Sequence, residues 1–298
     1  MRGGGSGAGS GGGQGKGGWG PALAARLACA LLAVWMGIAQ AWPSQAWPAL
    51  SWPIEPQWST TEVHYQRGSL YAPHFAGGGR VPTNILTVQH ASGYAYGDVF
   101  FFVDLFDTDR PGAFNDQDVY GEVYGFLMAS RVTGRSFAWG PIKDLGVGGG
   151  INADRKAEVY KYLPGVRIAW DLPGVKFLNL DLMAFLEDSV GVARGGAPKE
   201  GNGFDFDLNG AYPFTSAGES FSIEGHVEYF GGRGRNELGR VTPDAILAQP
   251  QFRYDLGKGV TGVANKFFVG VEWQIWYHKL GDSHTFESAP QLLAVWRF

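Results

Sequence analysis

The chain has 298 residues and a formal net charge of −4; 45% of its residues are hydrophobic, 14% aromatic and only 17% charged, and 47 are glycine. That length admits one large domain or two small ones, and a composition rich in glycine and rings but lean in charge suits turn-dense β structure better than a helical enzyme. The mild acidity, with no basic patch or recognition motif, argues against a nucleic acid polymer as partner.

Residues 1–41 read as a secretory signal peptide. Arg2, Lys16 and Arg26 precede the apolar run LACALLAVWMGIA (27–39), which ends in Ala39-Gln40-Ala41; this is a positive leader, an apolar core and an A-x-A site. The run falls short of the ~20 residues a spanning helix needs. Cleavage after Ala41 removes those three cations, taking the formal charge from −4 to −7, and also removes Cys29, the only cysteine. An exported chain without cysteine builds no disulfide framework. Residues 42–56 follow as a Trp/Pro-rich extension, WPSQAWPALSWP and its tail, whose prolines forbid helix and favour extended chain.

From residue 57 to 298 the sequence predicts strands. Segments of about ten residues, the length a tilted strand needs to cross a bilayer, recur between Gly, Pro, Asn and Asp clusters. In chain order they lie near 57–68, 83–95, 97–107, 119–131, 142–152, 158–170, 175–187, 202–212, 220–230, 248–256, 266–278 and 286–298. GDVFFFVDLFD (97–107) sets their pattern: Val99, Phe101, Val103 and Leu105 share one parity, and Asp98, Phe100, Phe102, Asp104 and Phe106 the other. In a strand these sets face opposite sides. VKFLNLDLMAFLE (175–187) likewise opposes Leu178, Leu180, Leu182 and Leu186 to Asn179, Asp181, Phe185 and Glu187. NGFDFDLNGAY opposes Phe204, Phe206 and Leu208 to Asp205, Asp207 and Asn209. SFSIEGHVEYF opposes Ile223 and Val227 to Glu224, His226 and Glu228.

Alternation alone also fits a soluble sandwich or a lipocalin-type barrel with its apolar face inward. Two features favour the inverse arrangement. The polar face carries charges of both signs together with rings, as a wet lumen would. The apolar face bears Tyr160, Tyr162, Tyr212, Trp273, Tyr277 and Trp296 near strand ends, in the manner of interfacial girdles. The last residues, QLLAVWRF, put Leu292, Ala294, Trp296 and Phe298 on one face and resemble the C-terminal signal of outer-membrane barrels, so Phe298 is the expected contact for the barrel-assembly machinery. The expected fold is therefore all-β: a transmembrane antiparallel β-barrel of about twelve strands over 57–298, in contact with outer-membrane lipid in the bacterial cell outer membrane.

A barrel of that size lies between those filled by side chains at eight strands and open porins at sixteen. Large rings pointing inward restrict it to small solutes. The expected pore-lining residues are Phe100, Phe102, Asp98, Asp104, Glu122, Tyr124, Phe126, Arg167, Asp181, Phe185 and Glu272. Rings offer stacking surface, while carboxylates accept from sugar hydroxyls and base edges. That chemistry suits a nucleoside or a sugar; it suits equally a lumen that rings merely fill and stiffen.

QWSTTEVHYQ (57–66), GYAYGDVFFFVD (93–104), FAWGPIKD (137–144) and GVRIAWDLPGVKFL (165–178) resemble the nucleoside-specific outer-membrane channel family called Tsx-like, in its OmpK-type branch. The likeness runs in order from about residue 57 to Phe298 and includes the Gly140-Pro141-x-Lys143-Asp144 turn and the Asp-Leu-Pro-Gly corner (171–174). It implies a twelve-stranded monomeric barrel with nucleoside sites along a narrow pore, and use as a bacteriophage receptor. Phe100 and Phe102 match the aromatics of its third strand, and Glu122 the acid of its fourth. Where lumen acids are expected on the second strand, this chain has Thr87 and Gln89.

No catalytic residue, metal ligand or cofactor is expected. His64, His226 and His278 fall on inferred lumen faces and His74 and His284 in turns. Ser283-His284 lies in no nucleophile elbow or triad motif, and neither H-x-x-x-H nor H-E-x-x-H occurs. GVGGG (146–150) lacks the Lys-Ser/Thr of a phosphate loop and reads as a packing or turn feature. Two functions follow. One is passive, selective diffusion of nucleosides or similar small flat polar solutes. The other is a receptor or structural barrel that conducts only incidentally.

Overall fold

The computed structural model describes residues 55–298. The expected signal peptide, and all of the Trp/Pro-rich extension but Glu55 and Pro56, lie outside the described residues. Thirteen strands are present among the described residues: β1 (Trp58–Tyr71), β2 (Arg80–Gly93), β3 (Gly97–Thr108), β4 (Asp118–Met128), β5 (Ile142–Asp154), β6 (Val159–Trp170), β7 (Phe177–Glu187), β8 (Gly203–Ser216), β9 (Glu219–Gly231), β10 (Ala245–Ala248), β11 (Gln251–Tyr254), β12 (Phe267–Tyr277) and β13 (Phe286–Arg297).

Every pairing is antiparallel, and the ring closes where β1 meets β13, with Glu62 opposite Arg297 and Gly68 opposite Gln291. β10 and β11 occupy a single position, since both pair with β9 on one side and β12 on the other. Pro250 divides them. It has no N–H to give a ladder, yet its carbonyl still accepts from the Trp273 N–H at 2.9 Å. The barrel therefore has twelve staves built from thirteen strands, and closure leaves no open sheet edge for lipid to meet.

The turns obey local chemistry. The Asp-Leu-Pro-Gly corner is a β-turn closed by Val175 N–H to the Leu172 carbonyl at 3.1 Å, with Pro173 and Gly174 at its centre. Gly174 sits at φ 79, the left-handed conformation that this turn reserves for glycine. One predicted boundary is corrected: β4 ends at Met128 rather than 131, because Ala129–Thr133 turns into a short helix. Two long-range contacts hold that helix. Asp144 accepts from the Ser130 N–H at 3.1 Å and from its hydroxyl, and Arg131 reaches Asp98 at 2.7 Å.

Burial is inverted relative to a water-soluble domain. Among the largest fully buried side chains are Arg253, Lys279, His64, Gln291, Glu62 and Glu287, whereas Leu86, Val88, Leu105, Val147, Ile151, Val166, Leu208, Ile223 and Leu292 are exposed. Tyr160, Tyr162, Tyr212, Trp273, Tyr277 and Trp296 are exposed as well. An apolar outer band with ring-bearing ends, around a polar interior closed to backbone edges, is the architecture of an outer-membrane barrel. The main staves have 11 to 14 residues, which at about 3.3 Å per residue and a tilt of roughly 40° spans about 30 Å.

Candidate pore and solute site

Chain connectivity distinguishes two rims. β1 begins and β13 ends at the terminal rim; the loops 72–79, 109–117, 155–158, 188–202, 232–244 and 278–285 lie at the distal rim. A cavity of about 1680 Å³ takes residues from both, from Trp58, Asp98 and Lys143 at the terminal end to Phe114, Asn236 and His284 at the distal end.

One wall, from β1 through β13 and β12 to β11, is densely wired. Glu62 accepts from Arg253 at 3.1 Å, from Arg297 at 2.6 Å and pairs with His64 at 2.8 Å. Arg253 also reaches Glu224 at 3.2 Å. Glu272 accepts amide N–H groups from Gln66 and Gln251 at 2.6 Å and from Gln291 at 3.0 Å. Toward the distal rim Lys279 and Glu287 form a buried pair at 2.6 Å. Cations, carboxylates and amides answer one another here with little capacity left over.

The glycine run of β5 serves packing. A Cβ at Gly150 would lie 2.3 Å from the Tyr124 ring, so only the bare backbone lets that ring lie flat against β5. Tyr124 then donates to Glu122 at 2.8 Å, as do Tyr120 and, through its Nδ2 at 2.9 Å, Asn152.

Two groups of inward-facing rings can be distinguished. Four are covered by the protein's own cations: the Arg167 guanidinium lies 4.1 Å over Phe126, Lys161 4.4 Å over Phe185, Arg297 4.6 Å over Phe268 and Lys279 5.3 Å over Trp276. Such contacts are worth about 0.5–2 kcal/mol and occupy the face a solute would stack on. Phe126, 2% exposed, is a core residue and does not line the cavity; this corrects its place among the pore-lining residues. Phe185 reaches the cavity wall but is equally buried. Phe100 and Phe102 on β3, with Tyr120 on β4, form a second group. Their ring centroids are 6.1 and 6.0 Å apart in tilted succession, all three line the cavity, and no cation lies over them among the described residues.

The predicted polar residues also separate. Asp98 belongs to the terminal rim, bound by Arg131. Asp104 accepts from the Thr87 hydroxyl at 2.6 Å. Asp181 takes both Nε and Nη2 of Arg167 at 2.7 and 2.6 Å. His64 and His226 face inward as expected, but His278 is corrected to the distal turn. It has φ 50, its ring stands 3.8 Å from that of Tyr277, and its Nδ1 bonds the Asp244 carbonyl at 2.7 Å.

Asp282 at the distal rim gathers three donors: the His74 N–H at 2.7 Å, the His284 N–H at 3.0 Å and the Thr285 hydroxyl at 2.7 Å. Burial alone would raise its carboxyl, but these bonds outweigh that and hold it down at about 2. Neighbouring Ser283 and Asp282 both approach Nδ1 of His284, at 3.2 and 3.6 Å. A catalytic relay needs the nucleophile and the acid on opposite ring nitrogens. Among the described residues no group of three or more His, Cys, Asp or Glu side chains is arranged to hold a metal ion.

Missing from the sequence-based set were the glutamines that clothe Glu272, the Glu62 hub, and the carboxylates of Asp205, Asp207 and Glu228. Parity assigns their face, but the partners of Glu272 and Glu62 come from strands distant in sequence.

No family model matches the chain, and no curated protein matches it. Among solved structures it is similar to an outer-membrane channel from Pseudomonas putida F1, at 11% identity over 85% of this chain and 100% of that one, TM-score 0.47. It is similar to the KdgM porin at 10% identity over 80% and 99%, TM-score 0.44. It is similar to OccK11 of Pseudomonas aeruginosa at 10% identity over 80% and 96%, TM-score 0.30.

Proposed function

We propose that the barrel is a passive diffusion channel for nucleosides or similar small, flat, polar solutes. The observation that carries this reading is the shelf of Phe100, Phe102 and Tyr120, whose faces no cation among the described residues covers and which opens on the cavity. Base stacking on a free ring is worth about 1–3 kcal/mol. Beside the shelf, Gln89 and Asp104 line the cavity and offer amide and carboxylate to a sugar hydroxyl or base edge. The likeness of residues 93–104 to the nucleoside-specific channels supports the same solute, and Thr87 and Gln89 give this chain a more neutral second strand than that likeness implies.

Single-channel recording in planar bilayers with adenosine as blocker tests it. Phe100→Ala combined with Phe102→Ala weakens block roughly tenfold or more, the equivalent of about 1.4 kcal/mol of lost stacking, and leaves ion conductance intact or raised. Unchanged block removes the shelf from the site. Conductance that is absent, or indifferent to nucleosides in the native sequence, favours a receptor or structural barrel whose distal loops are the contact surface.

A further inference from the structure

We infer that Asp207 and Glu228, which line the cavity, form with the fully buried Asp205 beside them a binding site for a monovalent cation on the β8–β9 wall of the lumen, and that the pore prefers cations to anions. The site deepens the channel reading and rests on it for solute access, but not on which solute passes.

Cross-strand register places Arg167 opposite Asp181, Asp181 opposite Asp207, and Asp207 opposite Glu228. Like charges directly opposite on neighbouring strands repel. The two-pronged Arg167 contact answers the first carboxylate, and the described residues supply nothing comparable to the rest. Asp207 receives one hydrogen bond, from the Asn209 amide at 2.7 Å, and its Oδ1 has none. Asp205 is fully buried, and neither of its oxygens is hydrogen-bonded among the described residues.

The nearby cations are committed elsewhere. Lys161 binds Glu200 at 2.9 Å and Arg233 binds it at 3.1 Å. Among the described residues Asp104 and Glu272 also lack a cation, but Glu272 receives three amide N–H groups and Asp104 the Thr87 hydroxyl; Asp205 receives no donor. An unanswered buried carboxylate is unfavourable by several kcal/mol, and a second and third nearby increase the repulsion. A positive charge entering the cavity beside Asp207 and Glu228 relieves their repulsion, and that of the neighbouring Asp205. The three carboxylates do not form a metal-chelating cluster, so the occupant is a hydrated alkali ion or an organic ammonium rather than a tightly held divalent ion.

The site's location gives it a bearing on transport. In a ring of twelve staves the third and ninth are diametrically opposed, so β9 with Glu228 faces β3 with Phe100 and Phe102. A flat solute stacked on that shelf would turn its far edge toward the carboxylates. This favours solutes whose edge carries N–H donors or a positive charge.

Reversal potentials in a KCl gradient test the site without any nucleoside. The native barrel reverses toward the potassium potential, and Asp207→Asn with Glu228→Gln reduces the potassium-to-chloride permeability ratio several-fold. Asp205→Asn, which preserves shape and removes the most buried charge, reduces it in the same direction and serves if the double variant does not assemble. A native barrel that is unselective or prefers chloride overturns the proposal, as does a ratio unchanged in either variant. Cation preference with no nucleoside block would sink the proposed solute and leave this site standing.

Discussion

The two walls of the lumen use similar residues to opposite ends. On the β1–β13–β12–β11 wall, Glu62 is met by Arg253, Arg297 and His64, and Glu287 by Lys279. On the β8–β9 wall, Asp205, Asp207 and Glu228 stand without a cation among the described residues. The difference separates a wall that holds the barrel together from one that leaves charge available to the pore. Buried charge that is paired on every side is structural, because losing one partner strands the others. Buried charge left unanswered strains the fold and acts on whatever enters.

Substitutions on the two walls should therefore differ in size and in sign. The largest effect is expected at the hub: Glu62→Ala takes the shared carboxylate from two guanidinium groups and His64 and should destabilise the detergent-solubilised barrel by about 3–5 kcal/mol in urea titration. A loss below about 1 kcal/mol would mean that the hub is not structural. Next, Gly150→Val drives a side chain into the Tyr124 ring and should cost about 1–3 kcal/mol by overpacking, seen as a lowered thermal transition; an unchanged transition would show that Tyr124 does not lie flat there. On the opposite wall Asp205→Asn should be neutral or stabilising, since it discharges an unanswered carboxylate. Destabilisation as large as that of the hub variant would erase the contrast.

The smallest effect concerns pH at the distal rim. The Asp282 carboxyl lies below its ordinary 3.8, at about 2, so its anchoring of residues 72–79 to 278–285 is fully present above about pH 4 and lost as pH falls toward 2. Pepsin cleavage within those loops should rise across that window in the native chain. It should already be high at pH 4 in Asp282→Asn, and equal cleavage in both at pH 4 would refute the anchor.

The sequence makes the strand scaffold legible because parity has a period of two and is a local property. Hydrophobic alternation in 97–107 and the ring-bearing ends could both be read from neighbours in the chain. The allocation of lumen rings could not. Phe126 and Phe100 look alike within their own segments, and what distinguishes them is Arg167, which comes from a strand two staves away from β4. Phe268 is set apart in the same way by Arg297. The end of β4 was equally out of reach, because Asp144 and Asp98 fix the turn at Ser130 and Arg131 from other strands. Cross-strand register decides which inward side chains are spent and which are free, and no single segment encodes it.

The central claim is the inside-out alternation around a closed ring, and cysteine scanning of β3 in liposomes tests it most directly, because Cys29 is the only native cysteine and lies outside that strand. Single cysteines from Phe100 to Leu105 should alternate, with 100, 102 and 104 labelled by a small water-soluble thiol reagent. Nitroxides attached at 101, 103 and 105 should be relaxed instead by oxygen dissolved in the lipid. Uniform labelling along the strand, or the same alternation with the two parities exchanged, would contradict it.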